Sequence, residues 1–532
     1  MNFSINNIYK QPIMFKSNSA PKNAKTLHSQ PTSDTFEKNN KDNYSISIGY
    51  VNDLHGQTNN MLRILSGLKG DIVLSAGDND IGDEKNSSVH KATIKFLNMA
   101  KVKGSAFGNH ELDTTQQDAI DIINKTDANI LSVNLRKVDN WKELSDNLPN
   151  YGRASLDKKL KKSTIIEVKG EKIGLVGASP IDMFDRTTHP NYHKDCFVEK
   201  FKETEADIQK EVDNLKKQGV NKIILLSHLG LKLDQILAQK TDGIDVIISG
   251  HTHELVKDIT EGENLFYSKT GEPVVLTEAG KDGAYFGQLN VTFDKDGVLT
   301  KAQNNVAETR HFSKNLINQT VFDGILGKPE YIGVIKQAPP PPKSLIEENP
   351  HANFVCDVMK EKSGADIGLW HNCGVRNFFH EGVIDSSDIK AISPFLDKVV
   401  VANVTEKALV NMFKDAIKMT YDSEIHKPGL ISVAGLDYTV NPEKGELVKM
   451  NFHDKQGNII ELDINNPRSD KTYKVVTDEF LMSAGADFDV LAEEKDYIHM
   501  YDYDKDVLTC QYIKEKNTPI VIDQVGRINF TK

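Results

Sequence analysis

Five times in its first half, this sequence ends a short apolar run on Asp, Asn or His side chains. The segments are Asn52-Asp53-Leu54-His55-Gly56, Gly77-Asp78-Asn79, Gly108-Asn109-His110-Glu111-Leu112-Asp113, Ser227-His228 and Gly250-His251-Thr252-His253. Runs such as Ile72 to Ser75 are too short for helices and too continuous for half-exposed strands, so they read as strands buried on both faces. Helical patterns from Met61 to Leu68, Val89 to Ala100 and Glu203 to Gln218 lie between such runs. That order predicts an α/β sheet with its chemistry at the carboxyl ends of the strands. A lone Asp or His after a strand is usually a turn residue. Five in this order, none needed for packing, are not explained by turns.

Carboxylate, imidazole and amide oxygen together suit a hard or borderline divalent ion, and two such ions need an anionic bridge against their mutual repulsion. Asp78 is the natural bridge. Asp53, His55 and His253 complete one ligand set with it, and Asn109, His228 and His251 the other. A water nucleophile activated by such a pair attacks phosphorus in line. His110 is not needed as a ligand, which frees its imidazole to stabilise the transition state or protonate the leaving oxygen. Asp113, three residues on, is placed to hold that ring through its other nitrogen. Asn52 and Asn134 are expected to support the site, and Glu111 has no direct role in this reading.

At 532 residues the chain is too long for one core. Residues 1–43, polar and without the apolar stretch of a secretory signal, read as a disordered tail. An α/β unit follows over 44–310. Pro339 to Pro342 can be neither helix nor central strand, so 311–348 reads as a linker to a second, smaller unit over 349–532. A Lys-rich stretch from Trp141 to Leu160 reads as an insertion or an exposed helix. The net charge of −11, with both signs interspersed, argues against a nucleic-acid polymer as partner. Cys196, Cys356, Cys373 and Cys510 lie too far apart for a zinc knuckle, and no apolar run is long enough for a membrane span.

With those motifs in view, the chain resembles the two-domain 5′-nucleotidase family of the calcineurin-like metallophosphoesterases. The resemblance implies a four-layer β-sandwich flanked by helices, joined by a linker to a smaller α/β substrate-recognition domain. It places Asp53, His55, Asp78, Asn109, His228, His251 and His253 at ligand positions for two divalent ions (Zn, Mn or Co) and His110 with Asp113 at a catalytic dyad. His253 stands where some members have Gln. In the second unit, Cys373-Gly374-Val375-Arg376 resembles a segment ending Gly-Gly-x-Arg, whose arginine meets the substrate. Phe395, in Ser393-Pro394-Phe395, and Phe480, in Phe480-Leu481-Met482, resemble two phenylalanines that clamp a nucleobase. Departures from the pattern are His371 for Asn, Asp397 for the Asn after Pro-Phe-Gly, and Asp487 one place late.

The implied activity is hydrolysis of nucleoside 5′-monophosphates by a monomer. A 2′,3′-cyclic-nucleotide phosphodiesterase or UDP-sugar hydrolase uses the same chemistry, and a non-catalytic binding or adhesion protein uses the same fold. With no signal visible the cytoplasm is the default location, although the resembled family works mostly in the periplasm or outside the cell.

Overall fold

A computed structural model describes residues 35–37, 43–80, 87–112, 116–137, 160–183, 196–395, 397–422, 429–482 and 497–531. The Lys-rich stretch, Asp113 and Asp487 lie outside the described residues. No helix among the described residues is long and apolar enough to cross a membrane.

Two sheets face each other in the first domain. One runs Thr35–Glu37, Leu299–Glu308, Tyr285–Phe293, Tyr44–Val51, Ile72–Ser75, Val102–Ala106, Asn129–Leu131 in spatial order. The other runs Leu265–Tyr267, Pro273–Thr277, Val246–Ile248, Ile223–Ser227, Glu171–Ala178, Ser163–Val168. The continuous apolar runs are explained by burial on both faces. Because successive strand residues point to opposite sides, Ile224 and Leu226 meet Ile48, Leu74 and Val275 between the sheets. Ile223 and Leu225 point instead to the helices Phe201–Lys217 and Leu231–Lys240, through Ile208, Val212, Leu233 and Leu237. On the far side, Met61, Ile64 and Phe96 of Thr58–Gly67 and Ser87–Met99 cover Val51 and Val73. The result is four layers, helix, sheet, sheet, helix.

The strands that carry the five motifs pair in parallel with a neighbour, so their carboxyl ends lie at one edge of each sheet. Ser163–Val168 and Glu171–Ala178 form an antiparallel hairpin. Lys169 (φ 51°) and Gly170 (φ 85°) form its turn, the left-handed pair that matches strand twist.

Two segments differ from expectation. Thr35–Glu37, placed in the tail by its polar surroundings, pairs antiparallel with Lys301 to Gln303 at an open sheet edge. The stretch 311–348 is more than a connector. Helix Leu316–Leu326 buries Phe322 among Met61, Phe96 and Phe286 of the first domain. Strand Tyr331–Gln337 pairs with Gly382–Asp385 and Ile520–Val521 of the second. Its buried Ile332 and Ile335 lie three residues apart beside a register irregularity, so the strand shows no period of two in the sequence.

A five-stranded sheet centres the second domain, in the order Ile431–Ala434, Ile367–His371, Thr472–Asp478, Lys398–Thr405, Tyr497–Asp504. Helix Pro350–Ser363 lies on it, started by the Asn349 side chain and Pro350, and ended by Gly364 in the left-handed region. Helix Ser386–Ile392 brings this domain to the first. Asn59 of Thr58–Gly67 donates to Asp388 at 3.1 Å and accepts from the Ser387 hydroxyl at 3.1 Å.

Candidate metal centre

The loop after Tyr44–Val51 is stitched to the loop after Ile72–Ser75. Asp53 N–H donates to the Gly77 carbonyl at 3.0 Å, His55 N–H to that of Asp78 at 3.0 Å, and Gly56 N–H to that of Asn79 at 3.1 Å. These bonds hold the side-chain-bearing residues in backbone conformations they would otherwise avoid. Asp53, His55, Asp78, His251, His253 and Asp282 all have φ between 45° and 79°. Such residues cost of order 1–3 kcal/mol each and collect where function over-determines the chain. Close approach matters as well. A Cβ at Gly108 would lie 2.1 Å from Asp78 Oδ1, so only glycine lets that strand end meet the carboxylate.

The side chains converge. Asp78 Oδ2 is 2.9 Å from His228 Nε2, 3.7 Å from His55 Nε2 and 3.9 Å from His110 Nε2. Asp53 Oδ1 is 3.8 Å from His55 Nε2 and 3.5 Å from His253 Nε2. Ligand-type atoms of Asp53, His55 and His253 form one compact set, those of Asp78, His228 and His251 a second, and those of His55, Asp78 and His110 a third between them. Two buried polar atoms here, His55 Nε2 and Asn109 Oδ1, have no hydrogen-bond partner, and His228 Nε2 has only the Asp78 carboxylate. Buried groups of this kind are normally satisfied. Lone-pair donors facing two carboxylates fit divalent ions.

Electrostatics agree with this. Burial opposes ionisation of Asp53, but His228, His253 and His55 outweigh it and bring the carboxyl to about 2. Asp78 lies well below the usual range against the same burial, chiefly through His228 and His110. Burial disfavours a charged His228, yet Asp78 and Asp53 push it up to about 10. Carboxylates pushed down and a buried imidazole pushed up mark a pocket that favours cationic charge.

Each imidazole is aimed by its other nitrogen or its main chain. His55 Nδ1 donates to Asp282 Oδ1 at 2.9 Å, and His228 Nδ1 to the Ala76 carbonyl at 2.7 Å. His251 Nε2 is 2.9 Å from Asp182 Oδ1, and its main-chain N–H donates to Asp53 at 3.1 Å. Asn52 acts as the expected support. Its amide donates to Asp53 Oδ2 at 2.7 Å and accepts from Ala279 N–H at 2.8 Å. Asn134 bonds both polar groups of the Ser179 backbone, joining two strand ends.

Sequence reasoning missed three carboxylates. Glu111 accepts from the backbone N–H groups of Asp78, Asn79 and Gly108, at 3.1, 2.9 and 2.9 Å, tying two motifs together. Burial, with Asp78 close by, pushes its carboxyl up to about 7 despite those donors. Asp282 holds His55, and Asp182 faces His251. Asp282 does follow a strand, Pro273–Thr277, but four residues intervene and its Lys-Asp-Gly context reads as an ordinary turn.

In the second domain, Arg376 reaches the edge of this centre. Its Nη1 is 3.7 Å from Asp282 Oδ1, its guanidinium lies 5.2 Å from the Phe395 ring centroid, and its buried Nε has no hydrogen-bond partner. Phe480 is 39% exposed, and its ring stacks on His371 at 5.3 Å. Phe395 and Phe480 thus rest on different neighbours.

Comparison with known proteins follows the same division. Residues 46–255 match the calcineurin-like phosphoesterase family, and residues 332–493 match the 5′-nucleotidase C-terminal domain. The chain is 26% identical over 499 residues to the trifunctional nucleotide phosphoesterase protein YfkN of Bacillus subtilis, covering 85% of this chain and 32% of that protein. It is 33% identical over 252 residues to a probable 5′-nucleotidase of Treponema pallidum, covering 45% and 39%. The chain therefore spans well under half the length of either relative. The fold is shared with a 5′-nucleotidase precursor from Thermus thermophilus at a TM-score of 0.66 and 20% identity, over 92% of this chain and 99% of that one. Calcineurin-like phosphoesterases use a dinuclear divalent metal centre, and the candidate groups Asp53, His55, His253 and Asp78, His228, His251 lie within the residues that match that domain. With both of its domains matched, this chain belongs to the two-domain 5′-nucleotidase family of metallophosphoesterases.

Proposed function

We propose that this protein hydrolyses nucleotide phosphate esters, with nucleoside 5′-monophosphates as the central substrates. The observation that carries the reading is the convergence of buried His55 Nε2, His228 Nε2 and Asn109 Oδ1, the first and last without a hydrogen-bond partner, around the carboxylates of Asp53 and Asp78. Asp53, His55, His253 and Asp78 would hold one ion, and Asn109, His228, His251 and Asp78 the other. Such ions, of Zn, Mn or Co type, polarise a phosphoryl group and activate water. His110 stabilises the developing charge or protonates the leaving oxygen, Arg376 meets phosphate or ribose, and Phe395 and Phe480 take the base. The relative named a trifunctional nucleotide phosphoesterase supports a wider range of nucleotide esters, and 2′,3′-cyclic nucleotides and UDP-sugars are the alternative substrates.

The test is phosphate release from AMP, a 2′,3′-cyclic nucleotide, a UDP-sugar and p-nitrophenyl phosphate after chelation and separate addition of Mn, Zn, Co and Mg. Turnover of AMP, lost with the metal and restored by at least one ion, is expected. No turnover of any ester with any ion would leave the non-catalytic binding reading. In the same assay, Ala at both Phe395 and Phe480 should raise KM for AMP at least about tenfold, since stacking contributes roughly 1–3 kcal/mol per base. Turnover of p-nitrophenyl phosphate should scarcely change. Equal losses on both esters in a folded protein would make the phenylalanines core residues.

Asp282 is assigned a positioning role. Its Oδ1 orients His55, its N–H donates to the Asp53 carbonyl at 2.6 Å, and its carbonyl accepts from Asn60 at 2.8 Å. Burial opposes its ionisation, but Lys281, His55 and Arg376 hold it well below the usual carboxylate range. Asp282→Asn should weaken one of the two ions by about 10- to 100-fold, the usual cost of losing such a partner, and spare the other. Calorimetric titration of the metal-free protein reads this directly. Two unchanged affinities would show that His55 is aimed without Asp282.

A further inference from the structure

Outside the metal centre, one nucleophile and one base meet at the substrate-facing side of the second domain. Cys373 sits in the turn Asn372–Gly374 directly after the strand Ile367–His371, and His371 Nδ1 lies 2.8 Å from its sulfur. The imidazole is buried, at 4% exposure, while the cysteine is a free thiol and partly exposed. The ring is fixed on two sides. Phe480 stacks on it, and the backbone at Gly374 approaches so closely that a Cβ there would lie 2.9 Å from the ring. A nucleophile in hydrogen-bond reach of a base that is itself oriented is the arrangement that activates thiols. Both positions depart from the Asn and Gly of the resembled pattern, and the two departures touch each other.

The surroundings favour a thiolate. Burial works against it, but the His371 partnership outweighs burial, and Arg376 and Lys281 add positive charge from the side of the metal centre. His371 moves in the complementary direction. Burial disfavours its charged form, and Cys373 and then Asp478 favour it. The other free cysteines among the described residues are the opposite case. Burial pushes Cys356 well above its ordinary value and Cys510 up to about 12. Reactive cysteines are the ones that combine partial exposure with neighbouring cations.

We propose that Cys373 and His371 form a reactive thiol pair lining the nucleoside pocket, open to exchange with small disulfides that then block nucleotide entry. His371 takes the thiol proton, and the Cys373 thiolate attacks one sulfur of the disulfide RSSR. The S–S bond breaks as the new one forms. The departing thiolate receives the proton back from His371, so that Cys–SH and RSSR become Cys–S–SR and RSH. The location of the pair in a nucleoside pocket rests on the proposed function, whereas its reactivity does not.

The experiment is alkylation of the full-length, metal-loaded protein by iodoacetamide at neutral pH, with each cysteine followed by peptide mass spectrometry. Cys373 should label at least about tenfold faster than Cys510, because rate follows thiolate fraction and access. His371→Asn should remove most of that advantage, and AMP should protect Cys373 but not Cys510. Oxidised glutathione should form a mixed disulfide at Cys373 that raises KM for AMP and is reversed by a reducing agent. Labelling no faster than at Cys510, an unchanged rate in His371→Asn, or no protection by AMP in a protein that hydrolyses it would each overturn the proposal. A protein that fails to hydrolyse AMP refutes the proposed function instead, and the labelling rates are read without any turnover.

Discussion

Replacing Asp78 with Ala is expected to abolish ester hydrolysis, to below about one part in 10³, and to lower the metal content below two ions per chain. The reason lies in what its two oxygens do. Oδ1 accepts the main-chain N–H of His110 at 2.9 Å. Oδ2 faces His228 Nε2 at 2.9 Å and His55 Nε2 at 3.7 Å, nitrogens assigned to different ions. Asp53 is the competing bridge, since its Oδ1 is also 3.7 Å from His228 Nε2. Its carboxylate, however, already accepts from the Asn52 amide and from His251 N–H, which leaves it less free to serve both ions. Asp53→Ala should therefore lose chiefly one ion, and Asp78→Ala both affinity and activity. Asp78→Ala loses the bond from His110 N–H, but those from the residue 78 N–H to Glu111 and from His55 N–H to its carbonyl use its main chain, so the loop should survive the change. Elemental analysis finding two ions per chain in Asp78→Ala would remove the bridging assignment.

The parts of this molecule that could be read from the sequence share a physical property. A strand buried on both faces is a continuous apolar run, and Ile72–Ser75, Ile223–Ser227 and Val246–Ile248 announce themselves that way. At the carboxyl end of such a run a polar residue has little packing reason to exist, so Asp78, His228 and His251 stand out. Parallel pairing aligns those ends within each sheet, and the packing of the two sheets face to face brings the two groups together. What could not be read depends on tertiary approach. Glu111 looks like one more acidic residue until its carboxylate is seen collecting three backbone N–H groups from two different loops. Asp282 reaches His55 across 227 residues of sequence. His371 and Cys373 are two residues apart, but nothing in that spacing says that ring and sulfur face each other, because the strand ends and a turn begins between them. Strand Tyr331–Gln337 was concealed differently: its buried Ile332 and Ile335 break the period of two, and it adds to a sheet whose other members begin about 45 residues later, beyond a proline run.

His110→Ala is expected to keep both ions and lose about 100-fold or more in kcat, the scale of removing one acid or one electrostatic stabiliser. Position alone does not decide the role of this ring. Its Nε2 lies 3.9 Å from Asp78 Oδ2, its edge meets the His55 ring at 4.9 Å, and together with those two residues it forms a set with the geometry of a metal site. Two features argue for catalysis. Asp78 and His55 each already belong to a ligand set without it, so His110 would be a surplus ligand. Its side chain is also 20% exposed, whereas His55 and His228 are fully buried, which puts it where a substrate oxygen can arrive. Alanine is a clean probe here because the bond from residue 110 to Asp78 is made by the main-chain N–H and survives the substitution. Asp113→Asn should cost less, since that residue is expected only to orient the ring. The loss should appear in kcat at unchanged KM, and it should be larger for AMP than for p-nitrophenyl phosphate, whose leaving group needs little protonation. A variant that binds a single ion would identify His110 as a ligand and return the acid's role to another residue.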